Sequence, residues 1–114
     1  MVTSLAALPE PIDGLLIAGG ELVWAARPLT KGANLCHGTT GNGFAFLKLF
    51  ERTGDPIWLA RARSFAMHAI RQSDAEAEAF GQRRYSLWTG DLGLACYLWE
   101  CVRVTARFPT LDVL

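Results

Sequence analysis

Apolar positions recur at helical spacing in three stretches of this chain. Phe44 and Leu47, followed a turn later by Phe50 and Glu51, keep that spacing from about Asn42, and Phe46 and Leu49 widen the apolar face. Thr53-Gly54 stops this helix. Asp55-Pro56 starts the next, with Asp55 placed to cap free amides and Pro56 at the first helical position, where its missing N–H does no harm. Trp58, Ala62, Phe65, Ala66 and Ala69 then form a one-sided stripe, with Arg61, Arg63 and Arg71 off it, so the pair predicts an antiparallel helical hairpin. A last helix is predicted from about Asp91 to Thr105. Its stripe is Leu92, Ala95, Cys96, Trp99 and Val102, and Leu94, Tyr97 and Leu98 make it apolar on most sides, the pattern of a helix buried between neighbours.

The remaining stretches read less sharply. Ile12–Ala26 carries Leu15, Leu16, Val23 and Trp24 at helical intervals, but Gly19-Gly20 weakens it, each glycine costing ~1 kcal/mol against alanine. Pro9 and Pro11 predict an extended arm for the first dozen residues, and Pro28 and Gly32 bracket a loop leading to Cys36. The polar run from Gln72 to Arg84 reads as a solvated helix end and loop.

A repeat organises these elements. Gly38-Thr39-Thr40-Gly41 precedes one apolar helix, and Gly90-Asp91-Leu92-Gly93 precedes another 52 residues later. Self-similarity of that size marks stacked helical hairpins, with the glycines letting the chain turn sharply into a helix that packs close to a neighbour. The predicted fold class is all-α.

Composition narrows the function. The chain has 114 residues, enough for one domain, and 51% hydrophobic residues support a modest core. Eleven Lys+Arg against 11 Asp+Glu leave no net charge, so nothing points to nucleic acid or an anionic membrane. No apolar run reaches the ~20 residues of a membrane span, and Met1–Glu10 lacks the build of a signal peptide. Three cysteines do not make a closed disulfide framework, and a cytoplasmic protein with reduced thiols is the expectation.

The chemistry-bearing residues stand at the first glycine turn. Cys36-His37 sets a thiolate ligand beside an imidazole, the side chains zinc prefers. Neighbouring residues inside a helix point ~100° apart. Such a pair could therefore converge on one metal only at an irregular helix entrance, which Gly38, Gly41 and Gly43 provide. Taken alone, a Cys-His dipeptide is more often a buried thiol beside a polar residue. Cys96 and Cys101 read as core residues, and Trp58, Trp88 and Trp99 as packing. Asp91 reads as a cap for the last helix ahead of a substrate contact. Asn42 and Thr39 are candidates to hydrogen-bond the turn that presents Cys36, and Arg83 and Arg84 read as solvated loop residues.

Trp24, the run Leu35-Cys36-His37-Gly38-Thr39-Thr40-Gly41-Asn42-Gly43-Phe44-Ala45-Phe46-Leu47 and the run Tyr85-Ser86-Leu87-Trp88-Thr89-Gly90-Asp91-Leu92-Gly93 resemble the C-terminal part of the lanthionine synthetase C-like proteins. The likeness continues through Thr53-Gly54-Asp55, Arg61-Ala62 and Arg107-Phe108-Pro109. It divides the chain into an N-terminal arm and partial helix at 1–21 and a family portion at 22–114. The resemblance implies an α/α toroid of seven hairpin layers, of which this chain would supply the last two or so. It also implies zinc held by Cys36, His37 and a cysteine from an earlier repeat, with a substrate thiol in the open position. Zinc lowers the pKa of a bound thiol, so the thiolate needed for addition to dehydroalanine or dehydrobutyrine forms at neutral pH. No cysteine precedes Cys36, and His68 does not match the family's proton-handling histidine.

The sequence thus predicts a truncated enzyme carrying part of a zinc site, with a peptide or glutathione thiol as substrate. Its site would be completed by a partner chain or by self-association. The competing readings are a non-catalytic helical module that docks through an exposed apolar edge, and a remnant without an independent role.

Overall fold

A computed structural model describes residues 1–112. Every helix or strand-length element among them is α-helical: α1 (Val2–Leu5), α2 (Asp13–Ala26), α3 (Thr39–Thr53), α4 (Pro56–Phe80) and α5 (Asp91–Arg103). Among the described residues, no helix is long and apolar enough to cross a membrane.

The hairpin forms as its punctuation requires. Gly54 adopts the left-handed conformation that ends α3, Asp55 accepts a hydrogen bond from the Ile57 amide at 3.0 Å, and Pro56 occupies the first helical position. Helix α3 is the centre of the molecule and packs against each of the other four helices. Its Phe46 is fully buried, meeting Phe65 edge-on at 4.9 Å and stacking on Trp58 at 6.0 Å, with Trp24 of α2 closing the cluster. The Arg61 guanidinium lies over both Trp24 and Trp58, roofing the cluster at its solvent edge.

Several expectations change. Helix α3 starts at Thr39, a turn before the predicted Asn42, because the glycine turn itself already runs into the helix. Helix α2 runs unbroken through Gly19-Gly20 because the glycines are sites of close approach: a side chain on Gly20 would collide with Leu49 and Trp58. The first dozen residues are not all extended, since Val2 and Ala6 bury themselves beside α2 and α3 and close a single helical turn. Helix α4 continues through the polar run to Phe80, where left-handed Gly81 ends it.

Helix α5 presents the face opposite to the one its stripe suggested. Leu94, Tyr97 and Cys101 are buried, whereas Leu92, Trp99 and Val102 are exposed. A helix apolar on most sides does not declare which side faces the core, and here the contacts with α3 and α4 decide it. The Tyr97 hydroxyl donates to the Ala62 carbonyl of α4, and burial pushes its phenol well above the ordinary value.

Candidate functional site

The two glycine turns share one backbone geometry. Gly38 and Gly90 are the N-caps of α3 and α5, with φ −103° and −120° and ψ −166° and −163°. In the first turn the Thr39 amide donates to the Gly32 carbonyl; in the second the equivalent Asp91 amide donates to the Arg84 carbonyl. A Cβ on Gly38 would strike the backbone of Gly32 and Asn34, and one on Gly90 that of Arg84 and Ser86, so each turn closes only around glycine. The repeat read from the sequence is therefore a structural repeat. The turns also touch: the Cys36 amide donates to the Trp88 carbonyl at 2.9 Å.

Cys36 and His37 lie on the outside of the first turn, both exposed. The Asn34 side chain holds this turn, its Oδ1 accepting from the His37 amide at 3.0 Å and its Nδ2 donating to the Lys31 carbonyl at 3.0 Å. Asn34, rather than Asn42, is thus the asparagine that shapes the presentation of Cys36. Both cysteines assigned to the core are elsewhere: Cys101 is buried, its thiol pushed up to about 11 by burial, and Cys96 is half-buried.

Two residues passed over in the polar run carry the turns from behind. Gln72 Oε1 accepts from the fully buried Thr39 hydroxyl at 2.5 Å, and Gln72 Nε2 donates to the Leu29 carbonyl at 2.9 Å. The next residue, buried Ser73, donates to Asp91 Oδ1 at 2.6 Å and accepts from Arg83 at 3.0 Å. Consecutive residues of α4 therefore grip the first residue of each repeat helix. The signal was present in the stripe of α4, since Gln72 and Ser73 follow Ala69 by three and four residues and share its inward face.

Asp91 is consequently not a side-chain cap; Gly90 is the N-cap, and Asp91 spends its carboxylate on Ser73 and, at 3.7 Å, Arg83. Arg83 is no free loop cation either. It pairs with Asp74 at 2.7 Å, and that bond, with the carboxylates of Asp74 and Asp91 near it, raises its already high pKa.

His37 stands between two hollows. On one side, a pocket of about 380 Å³ is lined by Cys36, His37, Asn42, Trp88, Phe108 and Leu111, among others. On the other, a groove of similar volume, about 380 Å³, holds Lys31, Asn34, Glu76, Arg84 and Thr89 beside the same imidazole. Trp88 and Trp99, read as packing residues, are both substantially exposed, Trp88 because it forms a wall of the pocket.

The implied zinc can be tested against these donors. A thiol and an imidazole side by side at the mouth of a pocket are donors of the right kind. Among the described residues, however, no group of three or more His, Cys, Asp and Glu side chains is placed to hold a metal ion. The donors suit zinc in kind and fall short in number.

Comparison with known proteins places these features in a family context. The family described as lanthionine synthetase C-like protein matches residues 12–113. The LanC-like protein GCL1 of Arabidopsis thaliana is 34% identical over 101 residues, which cover 85% of this chain and 23% of that protein. The zebrafish (Danio rerio) protein named glutathione S-transferase LANCL1 is 34% identical over 102 residues, covering 82% of this chain and 23% of its own length. The chain thus spans about a quarter of the length of these relatives. No solved structure gives a significant match.

Proposed function

The chain belongs to the lanthionine synthetase C-like family, and on that premise we propose that it carries the thiol-presenting part of a centre that adds a cysteine or glutathione thiol to a dehydroamino acid. The observation that carries this reading is the glycine turn held by Asn34 and Gln72, which exposes Cys36 and His37 together at the mouth of a pocket. In the proposed reaction a thiolate sulfur bonds to the β-carbon of dehydroalanine or dehydrobutyrine. The carbon–carbon π bond breaks, and the α-carbon takes up a proton. No oxidant or reductant is required.

Cys36 and His37 are proposed as two protein ligands of zinc, with the remaining ligand supplied from outside the described residues. The groove beside His37 suits a charged thiol donor. Glutathione bears two carboxylates and one ammonium group, and Lys31, Arg84 and Glu76 offer the complementary charges. That one relative is named a glutathione S-transferase supports the choice.

Zinc content after purification under reducing, zinc-replete conditions tests the metal role. Bound zinc that is lost in Cys36→Ala supports it, and absence of metal from the parent defeats it. Glutathione addition to a dehydroalanine peptide, with Cys36→Ala as the comparison, tests the activity.

A second reading is favoured by one observation. Ala66, Met67, Ile70, Leu98 and Val102 line an open apolar hollow of about 560 Å³ between α4 and α5, and Met67 and Val102 are more than half exposed. A surface of that kind suits a helical docking module. A strictly monomeric, well-folded species in light scattering would count against it.

A further inference from the structure

The apolar stripe of α5 faces outward. Leu92 and Trp99 are 47% and 55% exposed, Ala95 is exposed and Cys96 half-buried between them, and Val102 at the edge of the stripe is 74% exposed. The repeat shows how such a face is used. Fifty-two residues earlier the equivalent positions of α3 are Thr40, Gly43, Phe44 and Leu47, and all four are buried. Helix α5 lies on that face: Phe44 meets the Tyr97 ring at 5.1 Å, and a Cβ on Gly43 would strike the Tyr97 hydroxyl. One repeat thus has this face sealed by a helix, and the next has it bare among the described residues. We propose that the outer face of α5 pairs with the same face of a second copy of this chain, the two helices running antiparallel about a two-fold axis. The inference rests on the docking reading and names its occupant and its point of contact, the stripe beside the apolar hollow.

The stripe is complementary to itself in size. Ala95 and Cys96 are small and lie a turn from Leu92 on one side and from Trp99 on the other. Packed helices insert large side chains into holes bounded by four residues of the facing helix. Leu92, Ala95, Cys96 and Trp99 bound such a hole, with the small residues across its middle, and Trp99 of the second copy is the knob that fills it. A two-fold axis passing beside Cys96 makes both insertions at once, as a self-complementary contact requires. The Arg103 guanidinium lies over the Trp99 ring at 5.4 Å, at the end of the stripe, where an interface keeps its charged and solvated rim.

The area suits a weak dimer. With Arg103 and Ala95 included, the face offers on the order of 500 Å² per copy, so a symmetric pair would bury about 1,000 Å², the lower end of specific interfaces. Two copies carry no net charge to hold them apart. The two-fold contact uses the stripe of both copies, which closes the assembly at two chains.

Sedimentation equilibrium of the whole chain should show a monomer–dimer transition with a Kd on the order of 10–100 μM. Trp99→Glu and Ala95→Arg, both at exposed positions that the fold does not rely on, should each weaken it by about tenfold or more. Position is read by a short bismaleimide in a Cys36→Ser background. It should join Cys96 of the two copies, each thiol adding across one maleimide double bond, and Cys96→Ser should abolish the link. A chain that stays monomeric up to about 1 mM overturns the pairing and counts against the docking reading as well. A dimer that Met67→Glu disperses, that Trp99→Glu leaves intact and that gives no Cys96 link refutes the pairing alone and moves the contact to the hollow. Trimers or larger assemblies exclude the two-fold contact.

Discussion

Gln72→Ala removes the side chain that ties the start of the Cys36 loop to its end. The Thr39 hydroxyl is fully buried and loses its acceptor, at about 1–3 kcal/mol for an orphaned polar group. The Leu29 carbonyl loses its Gln72 donor at an exposed position, where water substitutes, adding about 0.5 kcal/mol. Alanine's better helix propensity returns a few tenths, leaving a net loss of about 2 kcal/mol. Urea unfolding should therefore show a midpoint lower by about 1 M at an unchanged slope. The cause can be isolated, because Thr39→Val removes the hydroxyl that Gln72→Ala would strand. In that background Gln72→Ala should cost only about 0.5 kcal/mol, a coupling of about 1.5 kcal/mol. A single-variant loss under about 0.5 kcal/mol, or an equal loss in both backgrounds, would refute the clamp.

Two further variants probe the packing around the site. Asp112 is held below the usual carboxylate range: burial pushes it up, but the Lys48 ammonium and the Phe108 amide outweigh that push. Its folded pKa is depressed, so its contribution is present above the unfolded value near ~3.9 and is lost as pH falls through the folded value. Thermal melts from pH 6 down to pH 2 should show an acid loss that Asp112→Asn flattens. An unaltered acid profile would rule the pair out as its source. Gly43→Ala places a methyl group against the Tyr97 hydroxyl, which cannot withdraw because it is buried and bonded to Ala62. The overpacking should cost about 1–3 kcal/mol in chemical unfolding and be partly rescued by Tyr97→Phe, whereas a neutral Gly43→Ala would contradict the packing described.

The features legible in the sequence are those written in short-range order. Thr53-Gly54-Asp55-Pro56 announces the α3–α4 hairpin because a left-handed stop, a cap and a helix-starting proline each act within a few residues. The twin glycine turns were readable for the same reason, and with them the place of Cys36 and His37 at a helix entrance. Their motif also carried the family, which the comparison bears out.

Tertiary structure decided the rest, through contacts between residues far apart in the chain. Thr39 and Gln72 are 33 residues apart, Ser73 and Asp91 are 18, and Lys48 and Asp112 are 64, so no local pattern reports that any of these pairs meets. The same holds for the buried side of α5. Its sequence is apolar around most of the helix, and only the approach of α3 and α4 puts Tyr97 inward and Trp99 out. The sequence by itself determined where helices begin and which side chains could do chemistry, because backbone preference and hydrophobic period are local properties. The pocket, the groove and the residues that hold the reactive turn depend on the packing of separate helices, and that packing exists only in the folded chain.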